Sequence, residues 1–565
     1  MSSGGGSRHG VTLMEDGVTL MEDRQSIIDP SGEFRKSEFV VVVLLLSLLI
    51  GLQLCATGAV SLISRKLWID EIFTTLLLSD PDFGHALSAL KNGGPDHHPP
   101  TYYLLARGLF SASVDELRLR CLSLAIVVLA LAGTYVLLRN ICGPYAAMAA
   151  VLALWCHPLI ITHAFEARPY GLWLAASVWL TVFINQVQRR PARWYSHVML
   201  AVTAAVLCTV HYFGIVTLLL IASGHVVIRK VPLHKELWSL SALLAGPVAL
   251  AVCSPFLLTQ RSALTVPTWI APLSATYLVT FVVDLVPIRA IIAGGVVVLL
   301  LRRFACREEG SFQRKTSGGS SRSKDHPVGP GNSDLGGVFG LSLLPFVMIG
   351  MSYFVQPVQL ARYALPAVVV FGVLFAYWFR ALSRPKLAVV CVLFALLGAF
   401  ELHRYAKEQQ QFDENVDRVI AEARSHGTDG PVIFVRPLWL FPVVHYAPDL
   451  ADRCFLLEFD TNRPGGLYYP HLFIQELVQR VQRFYGRPQM LDATTLARYP
   501  YAKLLLLEGQ HPKDFAFELR GYTISSTEEI PMGEGRRGIV CLLAKSGTRP
   551  LEQETGNPQN EFRSE

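Results

Sequence analysis

Apolar runs long enough to cross a bilayer recur along the first 400 residues, and nothing else in this chain narrows its fold as much. Phe39 to Ile63 is the first, against a need of about 20 residues for one helical crossing. Further runs follow at about 117–138, 145–163, 169–187, 196–211, 213–228, 237–259, 273–301, 336–355, 361–380 and 387–402, which brings the expected count to eleven. The run at 273–301 has a break point at Pro287, and 101–112 is apolar enough to dip into the membrane. With 52% hydrophobic and 17% charged residues, the chain falls outside the range of ordinary soluble domains. The expected class is a polytopic α-helical membrane protein, with residues 39–403 as its membrane domain.

Charge supplies a topology. If Arg24, Arg35 and Lys36 are cytoplasmic, alternate connections should also be basic. They carry Arg189, Arg190 and Arg193; Arg229, Lys230 and Lys235; Arg302 through Lys324; then Arg380, Arg384 and Lys386. The loop at 64–116 and everything after about 403 then face outward. Basic residues placed this way are explained by topology, so the formal charge of +6 gives no reason to expect nucleic-acid binding. The partners this composition implies begin with the lipid bilayer.

Outside the spans the chain divides readily. Residues 1–38 are Gly/Ser-rich and repeat GVTLMED at 10–16 and 17–23, a pattern too short for a solenoid and expected to be a disordered tail. The 302–335 connection reads as a cytoplasmic linker and 548–565 as a second disordered tail. Between 404 and 547, PVIFV (431–435), KLLLLEG (503–509) and GIVCLLAK (538–545) alternate with helical patterns near 406–426 and 470–484. Strands separated by helices predict a soluble α/β domain with a largely parallel sheet. Its two cysteines, Cys454 and Cys541, are a disulfide candidate if the domain faces an oxidising compartment. The ten cysteines of the chain fit no metal-ligand spacing.

The loop after the first span carries the chemistry. It runs from Trp68 to Tyr103 and holds Asp70-Glu71, then Asp96-His97-His98-Pro99-Pro100, then Tyr102. Carboxylates and imidazoles beside a bilayer are costly unless they pair, bind a cation or face water. Adjacent residues on a helix point about 100° apart, so Asp70 and Glu71 cannot share one task equally. One can act as a general base while the other binds a cation or orients a neighbour. Taken alone, the pair fits a solvated helix start better. Asp96, His97 and His98 offer metal-ligand atoms without a recognisable ligand spacing, and the proline pair forbids helix there. His163, Glu166, Arg168 and Tyr170 lie after the third span, and Arg362-Tyr363 opens the tenth. Guanidinium groups at that depth suit a lipid phosphate, although Arg and Tyr also serve simply as interfacial anchors. His211, Tyr212 and Asp284 are further polar groups within or beside the spans.

The Asp-Glu pair, HPPTYY (98–103), FEARPYG (165–171) and ARYALPA (361–367), in this order, resemble the GT-C glycosyltransferases over residues 39–400. Bacterial members similar to protein O-mannosyltransferases and aminoarabinose transferases are the nearest in pattern. The resemblance implies a polyprenyl-phosphate-linked sugar donor, an extracytoplasmic acceptor and a location in a bacterial inner membrane. It implies Asp70 as catalytic base and Glu71 as its partner in acceptor or metal binding. Arg168, Arg362 and Tyr363 become the donor-phosphate site. Asp96, His97, His98, Tyr102 and Glu166 become loop residues for the acceptor or a metal. A divalent ion is compatible with the resemblance and not required by it. The rival classes are a transporter or lipid flippase, which should show internal repeats and broken helices at the midplane, and a membrane scaffold with an outward binding domain.

Overall fold

The structure is a computed structural model that describes residues 36–229, 241–262, 270, 274–312, 335–358, 360–425, 430–458, 469–507, 515, 519, 521–532 and 537–547. The two tails called from sequence lie outside the described residues, apart from 36–38, as do residues 313–334 of the expected linker.

The chain enters the bundle through α1 (Lys36–Thr57). Its apolar residues leave no polar stripe, so packing and not amphipathicity orients it. Val42, Leu46, Ile50 and Leu54 recur at four-residue spacing and are buried against the bundle. Val41, Leu44, Leu48 and Leu52 are exposed on the other side, where hydrocarbon must cover them. The loop that follows contains α2 (Ile69–Ser79), α3 (Phe83–Lys91) and α4 (Thr101–Phe110). The bundle resumes with α5 (Glu116–Cys142), α6 (Pro144–Trp155), α7 (Pro158–Ala164) and α8 (Tyr170–Arg189). It continues with α9 (Trp194–Val210), α10 (Gly214–Arg229), α11 (Ala245–Ser262), α12 (Ala275–Leu285) and α13 (Ile288–Phe312). After α14 (Gly336–Ser342) and α15 (Leu344–Phe354), a 3-10 turn at Ala361–Val368 leads into α16 (Val369–Phe379).

Seven helical segments of the described residues are long and apolar enough to span, or nine if each of two bent pairs counts as one. The expected count of eleven is reached only by adding the shorter apolar helices Trp194–Val210 and Gly214–Ile228. The bends have local causes. Helices α12 and α13 meet at 51° across Pro287, the break point visible in the sequence. Helices α6 and α7 meet at 76°, a break the hydropathy of 145–163 conceals. There Pro158 removes an amide donor, and His157 before it is extended. The His157 ring accepts from the Leu159 amide at 3.1 Å and bonds the Leu285 carbonyl at 2.8 Å, tying one break to the other. Glycine permits one close helix crossing, between α10 and α14: a Cβ on Gly340 would lie 1.9 Å from the Leu220 carbonyl oxygen.

Helix α17 (Arg384–Arg424) has 41 residues. At about 1.5 Å per residue it is roughly 60 Å long, about twice a hydrocarbon core. The expected boundary at 403/404 therefore falls inside one continuous helix that leaves the membrane and enters the sheet domain.

That domain has β1 (Val432–Phe434), α18 (Pro437–Tyr446), β2 (Cys454–Leu457), α19 (Tyr469–Tyr485), β3 (Gln489–Leu491), β4 (Tyr501–Leu506), β5 (Tyr522–Pro531) and β6 (Arg537–Lys545). The strand order is β3-β2-β1-β4-β6-β5. The pairs β1–β2, β1–β4 and β2–β3 are parallel, while β4–β6 and β5–β6 are antiparallel. Strands β1 and β2 are buried throughout, as expected where a parallel sheet is covered on both faces. Edge strand β5 is largely exposed and carries Ser and Glu. Cys454 on β2 and Cys541 on β6 are free, with β1 and β4 between them. Three strand spacings of about 4.8 Å far exceed the reach of a disulfide, about 7 Å between Cα atoms at most.

Helix α2 is gripped by this domain. Leu67, Ile72 and Phe73 join a core with Val419, Trp439, Phe441 and Val481, and the Phe73 and Phe441 rings meet edge to face at 4.8 Å. The membrane bundle and the sheet domain thus hold the loop between them.

Candidate active site

Asp70 and Glu71 face different surroundings on the first turn of α2. Glu71 is fully buried. Its oxygens accept from Arg120 Nε at 3.2 Å and Nη2 at 2.9 Å, from the Trp68 amide at 3.2 Å and from the Ala167 amide at 2.9 Å. Arg65 adds a second guanidinium at 3.4 Å, and Arg120 also donates to the Arg65 and Lys66 carbonyls. No lone pair of Glu71 is left for an acceptor or a metal. The expectation that it partners Asp70 in ligand binding is replaced by a fixed role: it caps α2 and anchors the 165–168 turn that carries Glu166 and Arg168.

Asp70 turns the other way. Its side chain is 22% exposed and its carboxylate meets Arg362 Nη1 at 3.2 Å. Arg362 lies over two rings, its guanidinium carbon 5.5 Å from the Tyr170 centroid and 5.6 Å from that of Tyr363. Tyr363 also packs beside Phe213 and His211, and His211 stacks on Trp173 at 4.4 Å. These rings form an aromatic floor beside a partly exposed ion pair.

Asp96 is the third centre and is saturated. It accepts from the His97 amide and His98 Nδ1, each at 2.7 Å, from the Tyr103 hydroxyl, and from both terminal nitrogens of Arg168. Burial pushes its carboxyl upward, but Arg168 overrides this, and with His98 and Tyr103 holds it well below the usual carboxylate range. Burial likewise opposes the Arg168 charge, and the carboxylates of Asp96 and Asp70 more than restore it. Arg168 further donates to the Asp70 carbonyl at 3.0 Å and to the Thr74 hydroxyl at 3.3 Å. Its two terminal nitrogens are thus spent inside the protein, while its Nε is buried without a hydrogen-bond partner among the described residues. Glu166 is paired with His163 at 2.5 Å. Burial raises its carboxyl, but His163, Arg362 and Arg168 together bring it down to about 2.

Two loop residues stand apart from this cluster. His97 faces the sheet domain, where Arg480 of α19 lies 3.1 Å from its ring and also donates to the Gly93 carbonyl. Burial and Arg480 lower its pKa to about 4. Tyr102 is buried against Tyr103, and it is Tyr103 whose hydroxyl reaches Asp96. Tyr212 donates to Gln260 at 2.7 Å, and Gln260 in turn donates to the Leu90 and His98 carbonyls. Asp284 lines a separate cavity of about 530 Å³ with Arg289, Glu401 and Arg404. Among the described residues no group of three or more His, Cys, Asp or Glu side chains could hold a metal ion. The Glu71 and Asp96 carboxylates are committed to neighbours, so these two do not fit as ligands of the divalent ion the resemblance allowed.

Arg120, Arg65, Tyr103 and Arg480 were not singled out from sequence. Arg120 carried a signal, a charge inside the first turns of an apolar span. Arg480 carried none, because its partner lies in a loop almost 400 residues earlier.

The polar centre of this polytopic helical fold lies where the first loop, the α7–α8 turn and the start of the 361–379 span converge. The chain is similar in structure to ArnT from Cupriavidus metallidurans. Against the crystal structure of that protein bound to undecaprenyl phosphate the TM-score is 0.53 at 13% identity, covering 88% of this chain and 97% of that one. Against its apo state the TM-score is 0.54 at 12% identity, covering 89% and 98%. No family model matches the sequence, and no curated protein does.

Proposed function

We propose that the protein is a membrane glycosyltransferase that moves a sugar from a polyprenyl-phosphate donor to an acceptor hydroxyl, with inversion at the anomeric carbon. The single observation that carries this reading is the Asp70–Arg362 pair, 3.2 Å apart and partly exposed, beside the fully engaged carboxylates of Glu71 and Asp96. A base and an anion-binding group side by side are what displacement of a phosphate requires. The neighbouring ArnT structure is described as bound to undecaprenyl phosphate, which supports the same lipid class here.

In this mechanism the donor phosphate engages Arg362 and loosens its hold on Asp70. The freed carboxylate takes the proton of the acceptor hydroxyl as its oxygen attacks the anomeric carbon. The bond between that carbon and the phosphate oxygen breaks, and the electron pair leaves with the polyprenyl phosphate. Arg362 stabilises the departing charge, because a preorganised cation helps most where charge accumulates in the transition state. A phosphate leaving group needs no general acid, so one carboxylate base suffices. Arg168 keeps the Asp96 turn and the α2 backbone in place, and Glu71 holds the start of α2 against the 165–168 turn. By the charge pattern, the amino terminus is cytoplasmic, and the loop and sheet domain face outward in a bacterial inner membrane.

The test is full-length protein in detergent with radiolabelled polyprenyl-phosphate sugars and membrane extract as acceptor source. Release of polyprenyl phosphate with label moving to the extract supports the reading and identifies the sugar. No release from any donor by folded protein would favour transport or scaffolding.

A further inference from the structure

Helices α5, α8 and α9 border a cavity of about 1080 Å³ that the proposed reaction does not use. Along α8 its wall runs from Leu172 through Trp179 and Phe183 to Arg189. That is roughly 26 Å at about 1.5 Å per residue, close to the about 30 Å of a hydrocarbon core. The flank is open to the bilayer: Leu129, Met199 and Val202 line the cavity and are 40–51% exposed. The end away from Asp70 is basic, lined by Arg189, Arg190 and Arg193. There Arg193 donates to the Tyr195 hydroxyl at 2.9 Å and lies over its ring.

Topology explains why arginines cluster at this end of the bundle. It does not explain an apolar trough of membrane length that terminates on them. Together these describe the mould of an amphiphile with its anionic group at the arginines. The proposed donor fits it badly: its phosphate belongs at the Asp70 end, so its tail would bring hydrocarbon to three guanidinium groups. We propose that this cavity binds an anionic glycerophospholipid, with its phosphate held by Arg189, Arg190 and Arg193 and an acyl chain lying along Leu137, Trp179 and Val202. Guanidinium binds phosphate through paired donors and keeps its charge at an interface.

The test uses full-length protein in phosphatidylcholine vesicles containing phosphatidylglycerol brominated on its acyl chains, with brominated phosphatidylcholine as the reference. The readout is the quenched part of the tryptophan fluorescence that disappears in Trp179→Phe. Half-maximal quenching is expected at a mole fraction at least about fivefold lower for the anionic lipid, the ratio one interfacial basic residue supplies. Combined Arg189→Gln, Arg190→Gln and Arg193→Gln should abolish the difference between lipids. Val202→Phe narrows the open flank without altering charge and should weaken quenching by both. If the triple variant does not fold, this second variant still decides. Equal quenching by both lipids, or quenching unchanged in Val202→Phe, would overturn the proposal. Displacement of the brominated lipid by undecaprenyl phosphate would also overturn it, giving the cavity to the donor tail. No sugar transfer is read, so the outcome is separate from that of the proposed reaction.

Discussion

Two sides of one short helix, α2, show how this protein treats charge. On the Glu71 side a carboxylate is fully buried between two guanidinium groups and two backbone amides. On the Asp70 side the neighbouring carboxylate is partly exposed and forms one ion pair among the described residues, with Arg362. The first arrangement leaves nothing to exchange with a ligand. The second leaves a base and a cation that a phosphate can separate. Sequence neighbours therefore divide structure from chemistry, with burial deciding which is which.

Breaking the comparison on the open side should have the largest effect. Asp70→Asn should lower transfer by about a hundredfold to ten-thousandfold, the usual weight of a general base, with the thermal unfolding midpoint unchanged. Arg362→Ala should cost about a hundredfold to a thousandfold in kcat, the range for one preorganised charge-stabilising donor. Arg362→Lys should recover part of that loss, because the charge returns without the paired donors.

On the buried side the currency is stability. Glu71→Ala strands Arg120 and Arg65 without their anion and should destabilise the protein by about 3–5 kcal/mol, as for other broken buried pairs. Denaturant or thermal unfolding in detergent would measure it. A smaller effect concerns pH. The pKa of His97 falls from 6.5 unfolded to about 4 in the folded protein, so between these values the unfolded chain takes up a proton that the native ring refuses. Stability should fall as pH drops from 6.5 toward 4, by at most about 1.4 kcal/mol per pH unit. His97→Asn should flatten that slope. The Glu166 carboxyl, held at about 2, adds stability above its unfolded pKa that is lost only as pH falls through the acid range below it. The smallest effect is expected from reductant: with Cys454 and Cys541 three strands apart, it should leave the unfolding midpoint where it was.

How much of this was legible in the chain depends on the range of each interaction. The break at Pro287 and the strands within 431–435, 503–506 and 538–545 follow from local hydropathy and local backbone chemistry, and the structure has them; of the eleven expected spans, seven to nine among the described residues are long and apolar enough to cross. The break at Pro158 was hidden because its cost is met by a histidine bonding a carbonyl 128 residues away. The convergence of Arg168 and Arg362 on Asp70 could be anticipated, since each is a charge at a span end on the same side. What Arg168 does there could not be. Its donors go to Asp96, and only folding shows that Asp96 has no lone pair left for a ligand. Sequence likewise offered no ground for choosing Tyr103 over Tyr102, since the choice depends on which ring the α4 backbone turns toward Asp96.

The most direct test of this division is a paired measurement on purified Asp70→Asn and Glu71→Gln, reading transfer rate and unfolding midpoint from the same preparations. The account predicts that Asp70→Asn keeps the wild-type midpoint and loses transfer, while Glu71→Gln lowers the midpoint and retains transfer in whatever fraction stays folded. Normal turnover by Asp70→Asn, or a stable and inactive Glu71→Gln, would contradict it.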